Sequence, residues 1–272
     1  MELSRRRFIV SSAVVGGGLA IGYAATRPSD HRIANDTLAQ GSARYLTSFL
    51  QIDPDNRVTV YVNHSEMGQG SHTALAMMAA DELDAAWEQV RIEQAPATDL
   101  YATGDMAIGF AGEFGVPSFL MPLVEASAMK IAQIGNLQTT GGSASIRFTG
   151  QLGMRVAGAA AREMLLQCAA ERWGVPTGEC TTALSYVHHN ASGQTSSYGE
   201  LSDAAARLEP PEEPTLKQRK QFNIMGKAMS RVDIPAKVDG SAFYGLDYNT
   251  DDMLFAAILS LIHISEPTRQ HH

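Results

Sequence analysis

Residues 57–83 read RVTVYVNHSEMGQGSHTALAMMAADEL, a strand pattern that changes into a helix pattern across a loop with two glycines. Alternating β-branched and polar residues predict a strand over residues 57–63. Ala, Met and Leu recur at helical spacing over residues 74–86, which predicts a helix that begins near Ser71. A strand that runs through a short loop into a helix is a common support for a bound ligand.

The loop Gly68-Gln69-Gly70 has the residue types that ligand contact requires. Glycine adopts positive φ angles without strain and lets the backbone approach a ligand closely. Free N–H groups at the helix start and the helix dipole favour an anion there, and Ser71 and Thr73 are residue types that cap helices. Gln69 offers both a donor and an acceptor. The loop is therefore a candidate ligand site, with a simple tight turn as the alternative.

A second loop of small residues, TTGGSAS over residues 139–145, precedes the strongest predicted helix, residues 153–173. Successive small residues can turn several backbone N–H groups toward one anion, with hydroxyl groups beside them. The candidate ligand-contacting residues of this loop are Gly141, Gly142, Ser143 and Ser145. A flexible surface loop is the alternative interpretation.

The other predicted elements mix helices and strands without a regular βαβ alternation. Strands are predicted over residues 49–52, 90–94 and 184–188, and helices over residues 122–137 and 202–208. A run rich in Pro and Glu, residues 209–214, is predicted as a linker. The fold class is therefore predicted as α+β.

The composition is that of an ordinary globular protein, with 44% hydrophobic residues, 18% charged residues and a net charge of −8. It excludes a disordered chain and provides no positive surface for nucleic acid. Cys168 and Cys180 are too few for a disulfide framework, and no Cys/His cluster accompanies them. His64 and His72 flank the first loop, but their spacing is not that of a helical zinc pair.

The first 25 residues have the organisation of an export signal. Three arginines at positions 5–7 precede an apolar run over residues 8–20, and small residues follow. The order SRRRFI resembles a twin-arginine signal, whose pathway exports folded proteins, so a periplasmic location and a cofactor inserted before export are expected. A short membrane anchor, or an uncleaved signal that tethers the protein, is the alternative. Residues 26–47 are predicted as a linker.

Four motifs resemble the molybdopterin-binding large subunits of the xanthine dehydrogenase/aldehyde oxidoreductase family, in particular the isoquinoline 1-oxidoreductase type. They are EMGQG (residues 66–70), TGGSAS (residues 140–145), RWGVP (residues 172–176) and AKVDGSA (residues 236–242). The resemblance implies a partial molybdopterin-binding domain over residues 48–230 and the beginning of a hammerhead domain over residues 231–259. The connection over residues 99–138 is longer and more helical than is typical of the family.

The family's reaction is the hydroxylation of an aldehyde or an N-heteroaromatic carbon, with water as the oxygen source. By resemblance, a molybdopterin cytosine dinucleotide holds molybdenum, and electrons leave through iron–sulfur clusters on a small [2Fe-2S] partner subunit to a cytochrome or another acceptor. The resemblance places Gln69 against an oxo ligand of molybdenum, with Gly68, Gly70 and Thr73 next to it. It places the second loop along the cofactor's phosphates. Because the cofactor itself ligates the metal, the resemblance implies no metal-ligating side chain.

The family's catalytic base, a glutamate in a Gly-Glu context, lies near the end of a much longer chain and has no counterpart among these 272 residues. Residues 260–272 resemble a translated sequencing adapter. They are interpreted as a non-native tail on a truncated chain without turnover of its own, and a natural short C-terminus is the alternative. Two other functions stay open: an exported, non-catalytic binding module, and an assembly protein that contacts the iron–sulfur subunit.

Overall fold

A computed structural model describes residues 30–103, 115–140, 143, 146–211 and 213–256. The chain divides into two compact units, Met1–Val232 and Asp233–His272. Among the residues described, no helix has both the length and the apolar character needed to cross a membrane. The predicted α+β class is confirmed, because helices and separate sheets both build the first unit.

The described residues contain both helices and strands. The helices are α1 (Asp30–Thr37), α2 (Ser71–Leu83), α3 (Met121–Ile134), α4 (Arg155–Trp173), α5 (Tyr198–Ala205) and α6 (Ile234–Asp239). The strands are β1 (Arg44–Thr47), β2 (Leu50–Ile52), β3 (Val58–Val62), β4 (Val90–Gln94), β5 (Cys180–Ala183), β6 (Tyr186–His189) and β7 (Gln194–Ser197). A π-helical segment, Ile146–Met154, runs directly into α4.

The larger sheet has the strand order β1-β2-β3-β4. β3 pairs antiparallel with β2 and parallel with β4, with Val60 opposite both Leu50 and Ile92. Two parallel neighbours need a crossover, and α2 supplies it between β3 and β4. The strand predictions over residues 57–63 and 90–94 are confirmed. The crossover places the first glycine loop at the carboxyl end of β3, where α/β units commonly bind ligands.

The core of the first unit forms where α2 and α4 pack together against this sheet. Val58, Val60 and Val62 are fully buried, as are Leu75 on α2 and Leu165 on α4. The two helices meet closely at Gly158, where an added Cβ atom would lie 2.3 Å from the carbonyl oxygen of Ala79. A side chain at position 158 would therefore push the helices apart.

The predicted linker over residues 26–47 is wrong for the part that the structure describes, since this part forms α1 and β1. The side chain of Asn35 joins the two elements. Its Nδ2 donates to the carbonyl of Tyr45 at 2.7 Å, and its Oδ1 accepts from the Tyr45 amide at 2.9 Å. The Tyr45 ring is buried and stacks on Tyr61 at 5.3 Å between centroids. The linker was predicted from the local polarity of the sequence. That polarity does not reveal these contacts, because they join residues that are distant in sequence.

The smaller sheet, β5-β6-β7, is antiparallel and differs in part from the prediction. Only the central strand was expected, and it begins at Tyr186 because Leu184 and Ser185 have positive φ angles in the turn before it. Helix α5 begins four residues before the predicted residue 202. Its start is set by a capping box in which Ser197 and Glu200 bind each other's backbone amides.

The second unit begins at Asp233, two residues after the predicted start of the hammerhead domain. Its described part contains α6, which ends at Gly240 in a left-handed conformation, and a short 3-10 turn, Gly245–Asp247. Over residues 233–256 no side chain is buried, and Leu246 is fully exposed. The hammerhead assignment itself stays a prediction.

Candidate cofactor-binding site

The first glycine loop connects the end of β3 at Val62 to the start of α2 at Ser71. Gly68 and Gly70 have φ angles of 100° and 77°, which L side chains rarely adopt, so the prediction that this loop needs glycine is confirmed. The N-cap of α2 is Gly70, and no side chain caps the helix from that position. The suggested capping role of Ser71 and Thr73 is therefore wrong, because both residues already lie within the helix.

The anion at the start of α2 is the chain's own Glu66. Its Oε1 accepts from the amides of Gly68 and Gly70, each at 2.8 Å, and its Oε2 accepts from the amide of His72 at 3.2 Å. Burial opposes ionisation of Glu66, but the amides of Gly70, His72 and Gly68, together with the charge of Arg231, outweigh it and lower its carboxyl pKa. The expectation that these amides stay free for an external anion is therefore wrong.

The side chain of Gln69 is exposed, but its amide group binds within the loop. Its Oε1 accepts from the Met67 amide at 2.5 Å. Its Nε2 donates to the carbonyl of Ser65 at 2.8 Å and to the hydroxyl of Ser71 at 3.0 Å. A ligand at this loop would have to replace these three hydrogen bonds. The amide group of Gln69 can therefore bind a ligand only after they are broken.

Arg231 binds the same loop, and Val232 binds the first turn of α2, from a distant part of the first unit. Arg231 Nη1 donates to the carbonyl of Gly68 at 2.8 Å, and its Nη2 lies 3.4 Å from Glu66 Oε1. The amide of Val232 donates to Thr73 Oγ1 at 3.1 Å. Thr73 is buried, so its hydroxyl group serves this contact.

The structure brings the beginnings of the two predicted loops together. The amide of Ser65 donates to Thr140 Oγ1 at 2.8 Å. The buried ring of His64 lies between two residues of the second segment, with Nδ1 2.9 Å from the carbonyl of Thr139 and Nε2 2.7 Å from Thr149 Oγ1. A carbonyl only accepts, so Nδ1 carries the proton in this arrangement.

The candidate residues of the second loop are only partly open to description. Gly141, Gly142 and Ser145 lie outside the described residues, and Ser143 is exposed. Their proposed contacts with phosphates stay predictions, as do the cofactor contacts of Gly68, Gln69, Gly70 and Thr73. The contacts at Thr139 and Thr140 show that the loop which holds these residues begins beside the first one.

The described residues of the two loops do not form a metal site. His64 uses both ring nitrogens on the second segment, and His72 Nε2 lies 2.8 Å from the carbonyl of His64. Over the described parts of the chain, no group of three or more His, Cys, Asp or Glu side chains is placed to hold a metal ion. Cys168 and Cys180 are both free and buried.

The described residues fit a ligand at the outer face of the loop. An added Cβ atom at Gly68 would have no neighbour within 4 Å, so the backbone there is open to close approach. The side chain of Gln69 is exposed in the same loop, and its donor and acceptor could contact a ligand in exchange for their bonds within the loop. The fit does not extend to a phosphate at the start of α2, because Glu66 already binds those amides.

Sequence reasoning missed two residues of this site. Glu66 carried a usable signal, since an acidic side chain just before a helix favourably meets the positive end of the helix dipole. Arg231 carried none, because it contacts Gly68 across 163 positions of the chain.

A model of the molybdopterin cofactor-binding domain matches residues 6–114, a range that includes the first glycine loop. This match confirms the resemblance to molybdopterin-binding proteins that the motifs indicated. More particularly, the chain is similar to isoquinoline 1-oxidoreductase subunit beta.

The individual relatives are similar to this chain over nearly its whole length. Isoquinoline 1-oxidoreductase subunit beta from Brevundimonas diminuta is 29% identical over 95% of this chain and 33% of its own. The membrane-bound aldehyde dehydrogenase [pyrroloquinoline-quinone] from Gluconacetobacter polyoxogenes is 32% identical over 93% of this chain and 29% of its own. The chain thus spans about a third of the length of these relatives.

Among solved structures, quinoline 2-oxidoreductase from Pseudomonas putida 86 is 20% identical to this chain. It superposes with a TM-score of 0.36, over 60% of this chain and 17% of its own.

Proposed function

We propose that this chain contributes the first part of the cofactor-binding subunit of a molybdenum hydroxylase. The enzyme would oxidise an aldehyde or an N-heteroaromatic carbon with water as the oxygen source. The observation that carries this proposal is the glycine loop of residues 66–70, which lies within the matched domain and next to the second loop through Thr140.

Bound molybdopterin would supply a molybdenum centre that accepts two electrons from the substrate. The chain's own residues would bind and orient it: Gln69 by its amide, and Gly68 and Gly70 by leaving the backbone open. Thr73 and the second-loop residues Gly141, Gly142, Ser143 and Ser145 complete the proposed set. The cytosine dinucleotide form of the cofactor is part of the proposal and rests on the motif resemblance.

The name of one relative and the domain match indicate different cofactors. One relative is named for pyrroloquinoline quinone, whereas the domain match names molybdopterin. We favour molybdopterin because the domain match includes the loop whose geometry fits ligand contact.

Electron transfer and location are further parts of the proposal. One relative is named as a beta subunit, which supports a multi-subunit enzyme. We propose a small [2Fe-2S] subunit as the partner, with a cytochrome or another acceptor after it. The arginine-rich start of residues 1–25 supports export to the periplasm by the twin-arginine route, with membrane attachment only through an uncleaved signal.

The 272-residue chain expressed alone is proposed to have no turnover. It spans about a third of its relatives, and a cofactor held at many points loses affinity steeply when some of them are removed.

A non-catalytic binding or assembly module is the second candidate. It is favoured by the hydrogen bonds within the first loop, where Glu66 accepts from the amide of Gly68 and Gln69 accepts from the amide of Met67. A loop that served only as a turn would need no other partner.

The test is to purify the protein from its parent gene and determine molybdenum, pterin, cytidine monophosphate and pyrroloquinoline quinone in the same sample. We expect about one molybdenum and one pterin per chain, with release of cytidine monophosphate and dye reduction by quinoline-type or aldehyde substrates. Folded protein with an iron–sulfur partner but no pterin would support the assembly module. Pyrroloquinoline quinone in place of pterin would overturn the cofactor assignment.

A further inference from the structure

Glu66 and Gln69 divide the hydrogen bonds of the glycine loop between them. Glu66 binds the amides of Gly68, Gly70 and His72, whereas Gln69 binds the Met67 amide, the Ser65 carbonyl and the Ser71 hydroxyl. The two sets of partners share no atom. The backbone on both sides of Gln69 is therefore held independently of where its own side chain points.

The Glu66 carboxylate is built into the loop. Its side chain is 11% exposed, and every second amide from Gly68 to His72 points at it, the arrangement by which backbone nests bind anions. Without an anion these amides would converge with no acceptor, which disfavours the loop conformation. Glu66 therefore stabilises the loop conformation in which the two glycines have positive φ angles.

Arg231 fixes the carboxylate from the other side. One nitrogen of its guanidinium donates to the carbonyl of Gly68, and the other lies 3.4 Å from Glu66 Oε1. The pairing holds the Glu66 rotamer and the Gly68 peptide together.

We propose that Glu66, held by Arg231, is a positioning residue for Gln69: it keeps the loop formed while the Gln69 amide exchanges its internal partners for a molybdenum-bearing pterin. This inference rests on the proposed function for the identity of that ligand. It also means that the anion-binding position at the start of α2 is occupied by the Glu66 carboxylate, so that the cofactor's phosphates bind elsewhere.

The test compares variants of the full parent protein. E66Q keeps the size of the side chain and removes its charge, E66D keeps the charge and shortens the reach, and R231Q removes the clamp. E200Q is the matched control, because Glu200 also accepts from a backbone amide at a helix start, that of Ser197 at 3.0 Å. Thermal unfolding of each variant confirms that it is folded.

Two measurements are made on each variant. Hydrogen exchange of the peptide over residues 64–72 in cofactor-free protein reports the loop itself. Molybdenum and pterin per chain, with the Mo(V) electron paramagnetic resonance signal, report Gln69's proposed ligand. In E66Q we expect exchange about tenfold faster and cofactor content about tenfold lower, the size expected for losing a charge-assisted hydrogen bond. R231Q should change both measurements in the same direction, E66D should keep more of both, and E200Q should change neither.

Wild-type exchange in folded E66Q would overturn the inference, since Glu66 would then not hold the loop. Faster exchange with unchanged cofactor content and an unchanged Mo(V) signal would also overturn it, because the loop's order would not matter to the ligand. Wild-type protein that contains no molybdopterin would overturn the proposed function as well, which separates the two failures.

Discussion

The ammonium group of Lys217 lies 3.3 Å from the carboxylate of Asp81, although 136 positions of sequence separate the two residues. Asp81 is fully buried and also accepts from the backbone amides of Asn223, Ile224 and Met225, at 3.0, 3.1 and 2.7 Å. Helix α2 therefore has a carboxylate site at each end, with Glu66 before its first turn and Asp81 in its last. The second site joins α2 to the segment over residues 217–225.

Replacing Asp81 by Asn should destabilise the first unit by about 3–5 kcal/mol, the range for removing one partner of a buried ion pair. The amide would leave Lys217 with Asp84 as its remaining carboxylate partner, at 2.5 Å, and would turn donors toward the backbone amides that Asp81 accepts from. Urea unfolding followed by circular dichroism measures the change. Asp55→Asn is the control, because its pair with Arg57 is exposed and should cost no more than about 1 kcal/mol. Equal effects of the two substitutions would show that burial of Asp81 does not matter.

Gly158→Ala should destabilise the packing of α2 on α4 by about 1–3 kcal/mol. Alanine favours a helix over glycine by at most about 1 kcal/mol, but its Cβ would meet the carbonyl oxygen of Ala79 at 2.3 Å. Backbone cannot rotate away as a side chain can, so the steric cost dominates. Gly178→Ala is the control, since an added Cβ there has no neighbour within 4 Å. The idea fails if thermal unfolding of G158A matches that of G178A.

The contribution of Glu66 to stability should depend on pH in one direction. Its carboxyl pKa is lower in the folded chain than the ordinary value of about 4.3. The stabilisation is therefore complete above that ordinary value and is lost as the pH falls through the folded pKa. The difference in free energy of unfolding between wild type and E66Q should be constant from about pH 6 to 7 and close in acid. A difference that grows on acidification would contradict the bonding described for Glu66.

Both cysteines should be unreactive in the native protein. Cys168 is buried, and burial, assisted by the charge of Glu171 and opposed by Arg172, raises its thiol pKa to about 11. At pH 8 only roughly one such thiol in a thousand is ionised, and the thiolate is the reactive form. Burial also raises the pKa of Cys180. Ellman's reagent should therefore react with either thiol only after unfolding. The variant C180S isolates Cys168, and rapid labelling of this variant in native buffer would disprove the expectation.

Local pattern was sufficient for the elements that build the site. The alternation over residues 57–63, the helix that follows the glycines and the strand over residues 90–94 all depend on near neighbours, and each formed as expected. The same reasoning failed for residues 30–47. There Asn35 hydrogen-bonds to Tyr45, and the Tyr45 ring stacks on Tyr61 from another strand. The structure of this segment therefore depends on contacts that residue spacing does not reveal.

Read alone, the amino-acid order established a strand–loop–helix with two obligatory glycines and a resemblance to molybdopterin-binding subunits. The tertiary structure decided the partners of its polar groups. Glu66 binds the amides that the sequence suggested for an external anion, and Arg231 contacts the loop from 163 positions away in the chain. Thr140 connects the two loops. Helix and strand preferences act between residues a few positions apart, whereas hydrogen-bond partners are chosen by distance in space. Which group occupies an anion-binding position is therefore decided only by the tertiary structure.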